Sequence, residues 1–114
     1  MKMTVSMKEN HLFRRLYNKG KTAADGRLAL YVRRNGGKTN RLGFTVSTKL
    51  GHAVVRNRCR RRLREVYRLN SPRLRQGYDI ILVARGRTVT ANWKELNDTF
   101  LKCCRKLELL EEKK

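Results

Sequence analysis

The residues best suited to binding chemistry are arginines concentrated in one segment. Seven arginines lie between Arg56 and Arg68, and Glu65 is the only acid among them. Like charges this dense repel one another unless a polyanion neutralises them. Because almost no acids can pair with these arginines, we interpret the segment as a nucleic-acid contact and not as an ordinary solvated surface.

An apolar period in the same segment predicts a helix. The apolar residues recur at spacings of four, four and three: Val55, Cys59, Leu63 and Val66. A stripe of basic residues lies beside this seam: Arg56, Arg60, Arg64 and Arg68, with Asn57 and Arg61 next to them. At a rise of about 1.5 Å per residue, the stripe spans roughly 18 Å, long enough to face several backbone phosphates.

The whole chain is strongly basic. It has 114 residues, with 29 Lys+Arg against 9 Asp+Glu and a formal net charge of +20. That length suits a single domain with one modest core. The charge implies a polyanionic partner: RNA, DNA or an anionic membrane. A membrane is not expected, because no apolar run approaches the roughly 18 residues of a spanning helix.

Catalysis by the protein itself is not supported by the remaining polar residues. A nuclease needs paired carboxylates that hold metal ions, or histidines placed as acid and base. Asp25, Asp79 and Asp98 are far apart, and His11 and His52 occupy unrelated positions. We therefore predict a binding protein without catalytic residues or a metal site of its own.

The cysteines and the amino terminus indicate the compartment. The chain has three cysteines, and an odd number argues against a disulfide scaffold and for a reducing environment. Cys59 lies on the apolar seam, and the adjacent Cys103 and Cys104 lack metal-ligand spacing, so we expect all three in the core. The first ten residues hold no apolar stretch long enough for a signal peptide. We expect a cytoplasmic protein.

Periodicity and turn residues divide the chain into elements. The predicted elements are a helix at 8–19, strands at 28–34 and 41–47, a helix at 53–69, a strand at 78–85 and a helix at 91–110. The turn Asn35-Gly36-Gly37 predicts that the first two strands form a hairpin. The almost continuous apolar run at 78–85 predicts a strand in the middle of the sheet. Residues 1–6 and 111–114 are expected to be frayed.

The last predicted helix carries an apolar stripe. Asn92 and Glu95 have the spacing of a capping box at its start. The stripe could form a dimerisation seam, but a small sheet needs a helix to bury one face, and we favour that use. We assign Trp93, at the start of the stripe, to the core.

The arginine segment carries a resemblance to a known family. RNRCRRRLRE, preceded by GFTVSTKLGHAVV, closely resembles the signature of the bacterial ribonuclease P protein subunit, and HLFRRLYNKG and YDIILVAR extend the resemblance over nearly the whole chain. The resemblance implies a single α+β domain in the order α-β-β-β-α-β-α. Its short additional strand would lie at 21–24. It also implies a central mixed sheet of about four strands covered by helices, with a left-handed crossover between parallel strands.

The resemblance also implies a function. Such a protein binds ribonuclease P RNA, which carries the Mg²⁺-dependent chemistry that removes the 5′ leader of precursor tRNA. No further protein partner and no membrane are implied. The expected contacts with the catalytic RNA are Arg56, Asn57, Arg58, Arg60, Arg61, Arg62, Arg64 and Arg68. The expected contacts with the leader are Phe13, Tyr17 and Tyr31.

Alternatives remain open from the residues alone. Phe13 and Tyr17, four apart on one helix, could instead cap the core, and the face on which Tyr31 lies cannot be fixed. A ribosomal or other structural RNA-binding protein could have the same charge and size. A DNA-binding protein could place the arginine helix in a major groove, but arginines every four residues suit phosphate tracking better than base reading.

Overall fold

The computed structural model describes residues 10–111 and the backbone of residues 4–6. The elements in this part of the chain are β1 (Thr4–Ser6), α1 (Asn10–Lys19), β2 (Lys21–Ala24), β3 (Leu28–Arg34), β4 (Asn40–Thr45), α2 (Ala53–Asn70), β5 (Tyr78–Ala84), α3 (Gly86–Thr90) and α4 (Trp93–Lys106). Single 3₁₀ turns at Thr48–Leu50 and Ser71–Arg73 precede and follow α2. The predicted α+β order is present, with β1 and α3 added to it. None of the helices described is both long and apolar enough to span a bilayer.

The sheet is mixed, in the strand order β1-β4-β5-β3-β2. β5 lies in its middle, as its apolar sequence predicted, parallel to β4 and antiparallel to β3. The predicted hairpin between β3 and β4 is therefore wrong, because β5 separates them. β5 is almost wholly buried, and because buried backbone N–H and C=O groups need partners, it pairs with a strand along each edge.

The Asn-Gly-Gly turn crosses the start of β5 and does not close a hairpin. The Asn35 N–H donates to the Gly77 carbonyl at 2.9 Å. Its side-chain amide donates to the Thr39 carbonyl and to Asp79 Oδ1, both at 3.1 Å. Gly36 takes the positive φ of 75° that the turn requires. The Asn-Gly-Gly sequence does form a turn, as predicted, but β5 lies between the two strands that the turn connects.

The main core lies between one sheet face and the helices α2 and α4. Cys59, Leu63 and Val66 of the predicted seam are buried, and Val55 packs against them partly exposed. Tyr67 is also fully buried, and its hydroxyl accepts a hydrogen bond from Asn40 Nδ2 at 3.3 Å. Because Leu63 has no exposed surface, Leu63→Ala should cost about 2–5 kcal/mol of folding stability.

The opposite sheet face is covered by α1. Leu12 and Leu16 of this helix pack on Ile81 of β5, with Val83 at the margin of the cluster. Alternate residues of a strand point to opposite faces, so Asp79, Ile81 and Val83 share this side. α1 packs against β3 and β5. The polar residue Thr45 of β4 lies at the margin of this contact, beside Tyr17.

The ends of the chain differ from expectation. Thr4–Ser6 form a parallel strand beside β4, and the Glu111 N–H donates to the Arg73 carbonyl at 2.7 Å. The expectation of frayed ends is therefore corrected at these positions, because backbone pairing holds them. The rest of 1–6 and 111–114, and residues 8 and 9 of the predicted first helix, lie outside the described residues.

The last helix is shorter than predicted and ends at Lys106. Glu108 has a φ of 58°, its N–H donates to the Arg105 carbonyl at 3.1 Å, and the Leu109 N–H donates to the Cys104 carbonyl at 2.8 Å. This is the Schellman pattern of helix termination, and it turns Leu109 into the core. Trp93, the first residue of α4, is in contrast 41% exposed, so its assignment to the core is wrong.

The start of α4 is capped as predicted. The Glu95 N–H donates to Asn92 Oδ1 at 2.8 Å, and the Asn92 N–H donates to Glu95 Oε1 at 3.0 Å. Just before it, residues Gly86–Thr90 form the short helix α3. Thr88 fixes α3, because its hydroxyl accepts from the Arg85 N–H at 2.9 Å and donates to the Arg27 carbonyl.

Candidate nucleic-acid interface

The arginine helix α2 exposes most of its charged residues on the side away from the core. Asn57, Arg58, Arg61, Arg64 and Arg68 are exposed, whereas Arg56, Arg60 and Arg62 are half-buried. This division follows from the apolar seam, which turns one side of the helix to the sheet. The structure therefore brings seven of the eight predicted RNA contacts to an accessible surface, and Arg62 is the exception.

Arg62 is engaged within the protein. Its Nη1 donates to the carbonyls of Thr88 and Val89 at 3.0 Å each, and its Nη2 donates to the carbonyl of Ala91. These carbonyls lie at the end of α3, where a helix leaves acceptors without partners and carries a negative partial charge. The guanidinium thus joins α2 to α3 through hydrogen bonds. Unlike the exposed arginines of the same helix, it is engaged within the protein and is not available to a ligand.

Two contacts orient arginines at the exposed surface. The Arg64 guanidinium lies 5.6 Å from the centre of the Phe44 ring, a cation–π arrangement. Arg60 Nη1 donates to Asn57 Oδ1 at 2.9 Å. Asn57, which sequence reasoning placed beside the stripe, therefore holds an arginine in position as well as offering its own amide.

The carboxyl end of α2 is less positive than its beginning. Arg68 Nη2 and Glu65 Oε1 form an ion pair at 2.5 Å. The hydrogen bond from Arg68 holds the pKa of the Glu65 carboxyl below its usual value, so this acid stays ionised at neutral pH. Among the residues described, no other acid lies on α2. The strongest positive field therefore lies over its first three turns.

The cysteines are core residues, as predicted. Cys59 is fully buried on α2, and burial raises the pKa of its thiol although Arg62, Arg58 and Arg60 oppose the shift. Burial likewise raises the pKa of Cys103 and of Cys104. These thiols are protonated at neutral pH and lack the thiolate that nucleophilic or metal-binding cysteines need.

A second surface, the aromatic face, consists of Phe13, Tyr17 and Tyr31. Tyr17 on α1 is 40% exposed, and its ring meets that of Tyr31 on β3 edge-on, with centroids 4.9 Å apart at 82°. The Tyr17 hydroxyl lies 2.6 Å from Thr45 Oγ1 on β4. Phe13 is half-buried beside the Leu12 and Leu16 cluster. The structure thus brings the three predicted leader contacts to one side of the sheet.

A buried ion pair, missed by sequence reasoning, lies on the same side of the sheet. Arg41 Nε donates to Asp79 Oδ1 at 2.6 Å, and its Nη2 donates to Oδ2 at 2.8 Å. Asp79 is only 4% exposed, and a buried carboxylate needs such a partner. The two residues are paired across β4 and β5. Only the strand pairing, and no local motif, could have revealed the contact.

Strand β4 separates the two surfaces. Phe44 lies under Arg64 of the arginine helix, and the next residue, Thr45, meets Tyr17 of the aromatic face. Because neighbouring residues of a strand point to opposite faces, one strand supports both. The arginine helix and the aromatic face therefore lie on opposite sides of the sheet at β4.

The fold and these surfaces define a class: a small basic α+β protein that binds polyanions. Within residues 4–6 and 10–111, no group of three or more His, Cys, Asp or Glu side chains could hold a metal ion. Comparison with known proteins gives the family. The sequence model of the family described as Ribonuclease P matches residues 1–108. The chain belongs to the ribonuclease P protein family.

Particular relatives agree over nearly the full length. The ribonuclease P protein component of Alkaliphilus oremlandii is 44% identical over 110 residues, 96% of each chain. That of Natranaerobius thermophilus is 41% identical over 112 residues, 98% of this chain and 97% of the relative. The solved ribonuclease P protein of Staphylococcus aureus superposes with a TM-score of 0.82 at 28% identity, covering 93% of this chain and 97% of that one.

Proposed function

We propose that this chain is the protein subunit of bacterial ribonuclease P and binds the catalytic RNA through the exposed side of α2. Family membership and the arginine helix support this function over that of a ribosomal or other structural RNA-binding protein. The proposed contacts are Arg56, Asn57, Arg58, Arg60, Arg61, Arg64 and Arg68. Arg62 has a different part: its bonds to the end of α3 position the helix that carries the others.

The aromatic face is the proposed site for the 5′ leader of precursor tRNA. A leader is single-stranded, and unpaired bases stack on aromatic rings with little sequence preference. Tyr17 offers the most exposed ring, while Tyr31 and Phe13 are half-buried and form the base of the site. Thr45 holds the Tyr17 hydroxyl, so the ring is already oriented before a base arrives.

The protein contributes binding, and the RNA subunit carries the hydrolysis with its own Mg²⁺ ions. Three of the described acids serve structural roles: Asp79 pairs with Arg41, Glu65 with Arg68, and Asp25 with Arg27. The cations of α2 would partly replace magnesium in screening repulsion between the RNA and the precursor tRNA. We place this assembly in the bacterial cytoplasm.

The observation that carries the proposal is an exposed row of arginines on a fold of this family. Reconstitution tests it: cleavage of a precursor tRNA by a bacterial ribonuclease P RNA at low Mg²⁺, with and without the chain. We expect no cleavage by the protein alone and rescue of the RNA by the protein. Cleavage without RNA, or an unchanged low-magnesium rate, would refute the proposal.

A further inference from the structure

A cationic pocket lies at the other end of the sheet from the start of α2. It is a cavity of about 370 Å³ between the end of β3, the start of β5 and the turn after α4. Thr45, which meets Tyr17 of the aromatic face, pairs with Val83 of β5, whereas Tyr78 at the start of β5 lines the pocket. Five residues of strand separate these two levels, a distance of about 17 Å. None of the residues that line the pocket belongs to the arginine helix or is one of the three aromatic residues of the aromatic face.

The charge of the pocket is positive and not neutralised internally. Its lining includes Lys19, Lys21, Arg33, Arg34 and Arg75. Within residues 10–111, none of these five cations forms a salt bridge with a carboxylate. Arg75 Nε donates to the Leu110 carbonyl at 3.3 Å, which fixes its stem at the pocket wall. Five cations against a single acid, Glu108, favour an anionic ligand.

The pocket also offers a surface on which a base can stack. Tyr78 is half-buried, and the Arg34 guanidinium lies 5.9 Å from the centre of its ring. The backbone N–H of Tyr78 donates to Asn40 Oδ1 at 2.9 Å, which fixes the start of the strand. Bases stack on aromatic rings and on arginine planes. Val32 and Leu107 extend the lining with apolar surface.

One acid at the pocket argues against a bare anion as the ligand. Glu108 lines the cavity, and the helix-ending turn with its φ of 58° fixes the Glu108 backbone there. Its carboxylate would repel phosphate alone but could accept a hydrogen bond from an exocyclic amino group of a base. The cations suit the phosphates of a nucleotide, the Tyr78 ring and the apolar surface suit its base, and the Glu108 carboxylate suits an amino group of that base.

We propose that this pocket binds one unpaired nucleotide of a single-stranded RNA. The base lies against Tyr78 and Arg34, and the flanking phosphates meet Lys21, Arg33 and Arg75. The volume suits such a ligand, since small-molecule sites begin at about 300 Å³. The proposal does not depend on the functions assigned to α2 and the aromatic face, because it rests on other residues at another level of the sheet.

The test is a titration of the full ¹⁵N-labelled chain with three probes: adenosine monophosphate, inorganic phosphate and a single-stranded adenylate pentamer. We expect saturable amide shifts at Tyr78 and Glu108 with the mononucleotide and, at lower concentration, with the pentamer. Phosphate should shift them less. Equal shifts with phosphate would mean an anion site only, and failure of the pentamer to shift them would exclude RNA; either result overturns the proposal.

Two variants with a matched control make the test specific. Tyr78→Leu removes the flat ring but keeps an apolar side chain, and it should weaken mononucleotide binding about fivefold or more, as loss of one stack would. Lys21→Gln, at an exposed position that the fold tolerates, should weaken it as well. Lys94→Gln makes the same charge change on α4, outside the pocket, and should leave binding unchanged. Equal effects of Lys21→Gln and Lys94→Gln on mononucleotide binding would mean that only the net charge of the protein matters, and this result would refute the proposed site.

Discussion

The arginine helix and the aromatic face share strand β4, but the chain builds them differently. The arginine helix is continuous in sequence, and the apolar seam within it turns one side to the core and the other to solvent. The aromatic face combines α1, β3 and β4, and Tyr17 meets Thr45 across 28 positions of sequence. A site on one helix tolerates the loss of a single residue, whereas a site built across three elements depends on each of them. The predictions below use this difference.

The largest effect is expected from charge reversal on the arginine helix. Arg60→Glu with Arg64→Glu turns two attractions into repulsions, each on the order of 4 kcal/mol for charges about 4 Å apart near a protein surface. Affinity for ribonuclease P RNA, measured by filter binding at low salt, should fall by several kcal/mol for the pair, because salt screens exposed charges. The fold should survive, because neither side chain belongs to the buried seam.

The same change of charge elsewhere is the control. Lys94→Glu with Lys102→Glu alters two exposed residues of α4 and should have a much smaller effect on RNA affinity. Equal losses in the two double variants would mean that only net charge matters and would remove α2 from the interface.

A matched pair on the arginine helix separates binding from positioning. Arg62→Met leaves the carbonyls at the end of α3 without their donor and should cost about 1–3 kcal/mol of folding stability. Arg61→Met changes an exposed neighbour and should leave stability unaltered. It should lower the salt dependence of RNA binding by about one unit of log–log slope. Denaturant melts measure the stability of both variants, and salt titrations measure their RNA binding. A loss of stability in Arg61→Met, together with unchanged stability in Arg62→Met, would contradict the assignment of Arg62.

The aromatic face should respond only to the leader. Tyr17→Ala removes the most exposed ring and should weaken holoenzyme binding of precursor tRNA by about 1–3 kcal/mol. Binding of mature tRNA and of the catalytic RNA should hardly change. Phe13→Ala should combine a leader effect with a loss of stability, because Phe13 is half-buried against Leu12 and Leu16. An equal loss for both tRNAs, with a lowered melting temperature for Tyr17→Ala, would make Tyr17 a core residue.

The smallest effect is expected from Tyr17→Phe. The ring stays, and only the bond between the Tyr17 hydroxyl and Thr45 Oγ1 is lost, which should cost about 0.5–1.5 kcal/mol of stability at most. Leader binding should stay close to that of the original protein. A leader-binding defect as large as that of Tyr17→Ala would show that leader binding depends on the hydroxyl and not on ring stacking.

Sequence reasoning succeeded where the signal is local. The period of α2, the capping box of Asn92 and Glu95, and the central position of β5 all depend on residues close together in the chain, and the structure contains each of them. The predicted seam of α2 lacked two buried residues with polar groups, Tyr67 and Asn70, and the Tyr67 hydroxyl is paired with the distant Asn40.

Sequence reasoning failed where strand pairing or a side-chain contact depends on residues far apart in the chain. The predicted hairpin between β3 and β4 was wrong because β5, which follows much later in the chain, pairs with both strands. The role of Arg62 depends on carbonyls 26 and 27 positions away. The cationic pocket joins Lys21, Tyr78 and Glu108 from three distant segments. No spacing rule relates such positions, because only the sheet order brings them together.

The central claim is a division of labour, with ribonuclease P RNA on α2 and the leader on the aromatic face. It is tested most directly by photo-crosslinking the holoenzyme with a benzophenone amino acid at position 17 or, in a second sample, at position 61. We predict that the probe at Tyr17 attaches to the 5′ leader of precursor tRNA and the probe at Arg61 to ribonuclease P RNA. Attachment of both probes to the same RNA, or an exchange of the two, would contradict the division.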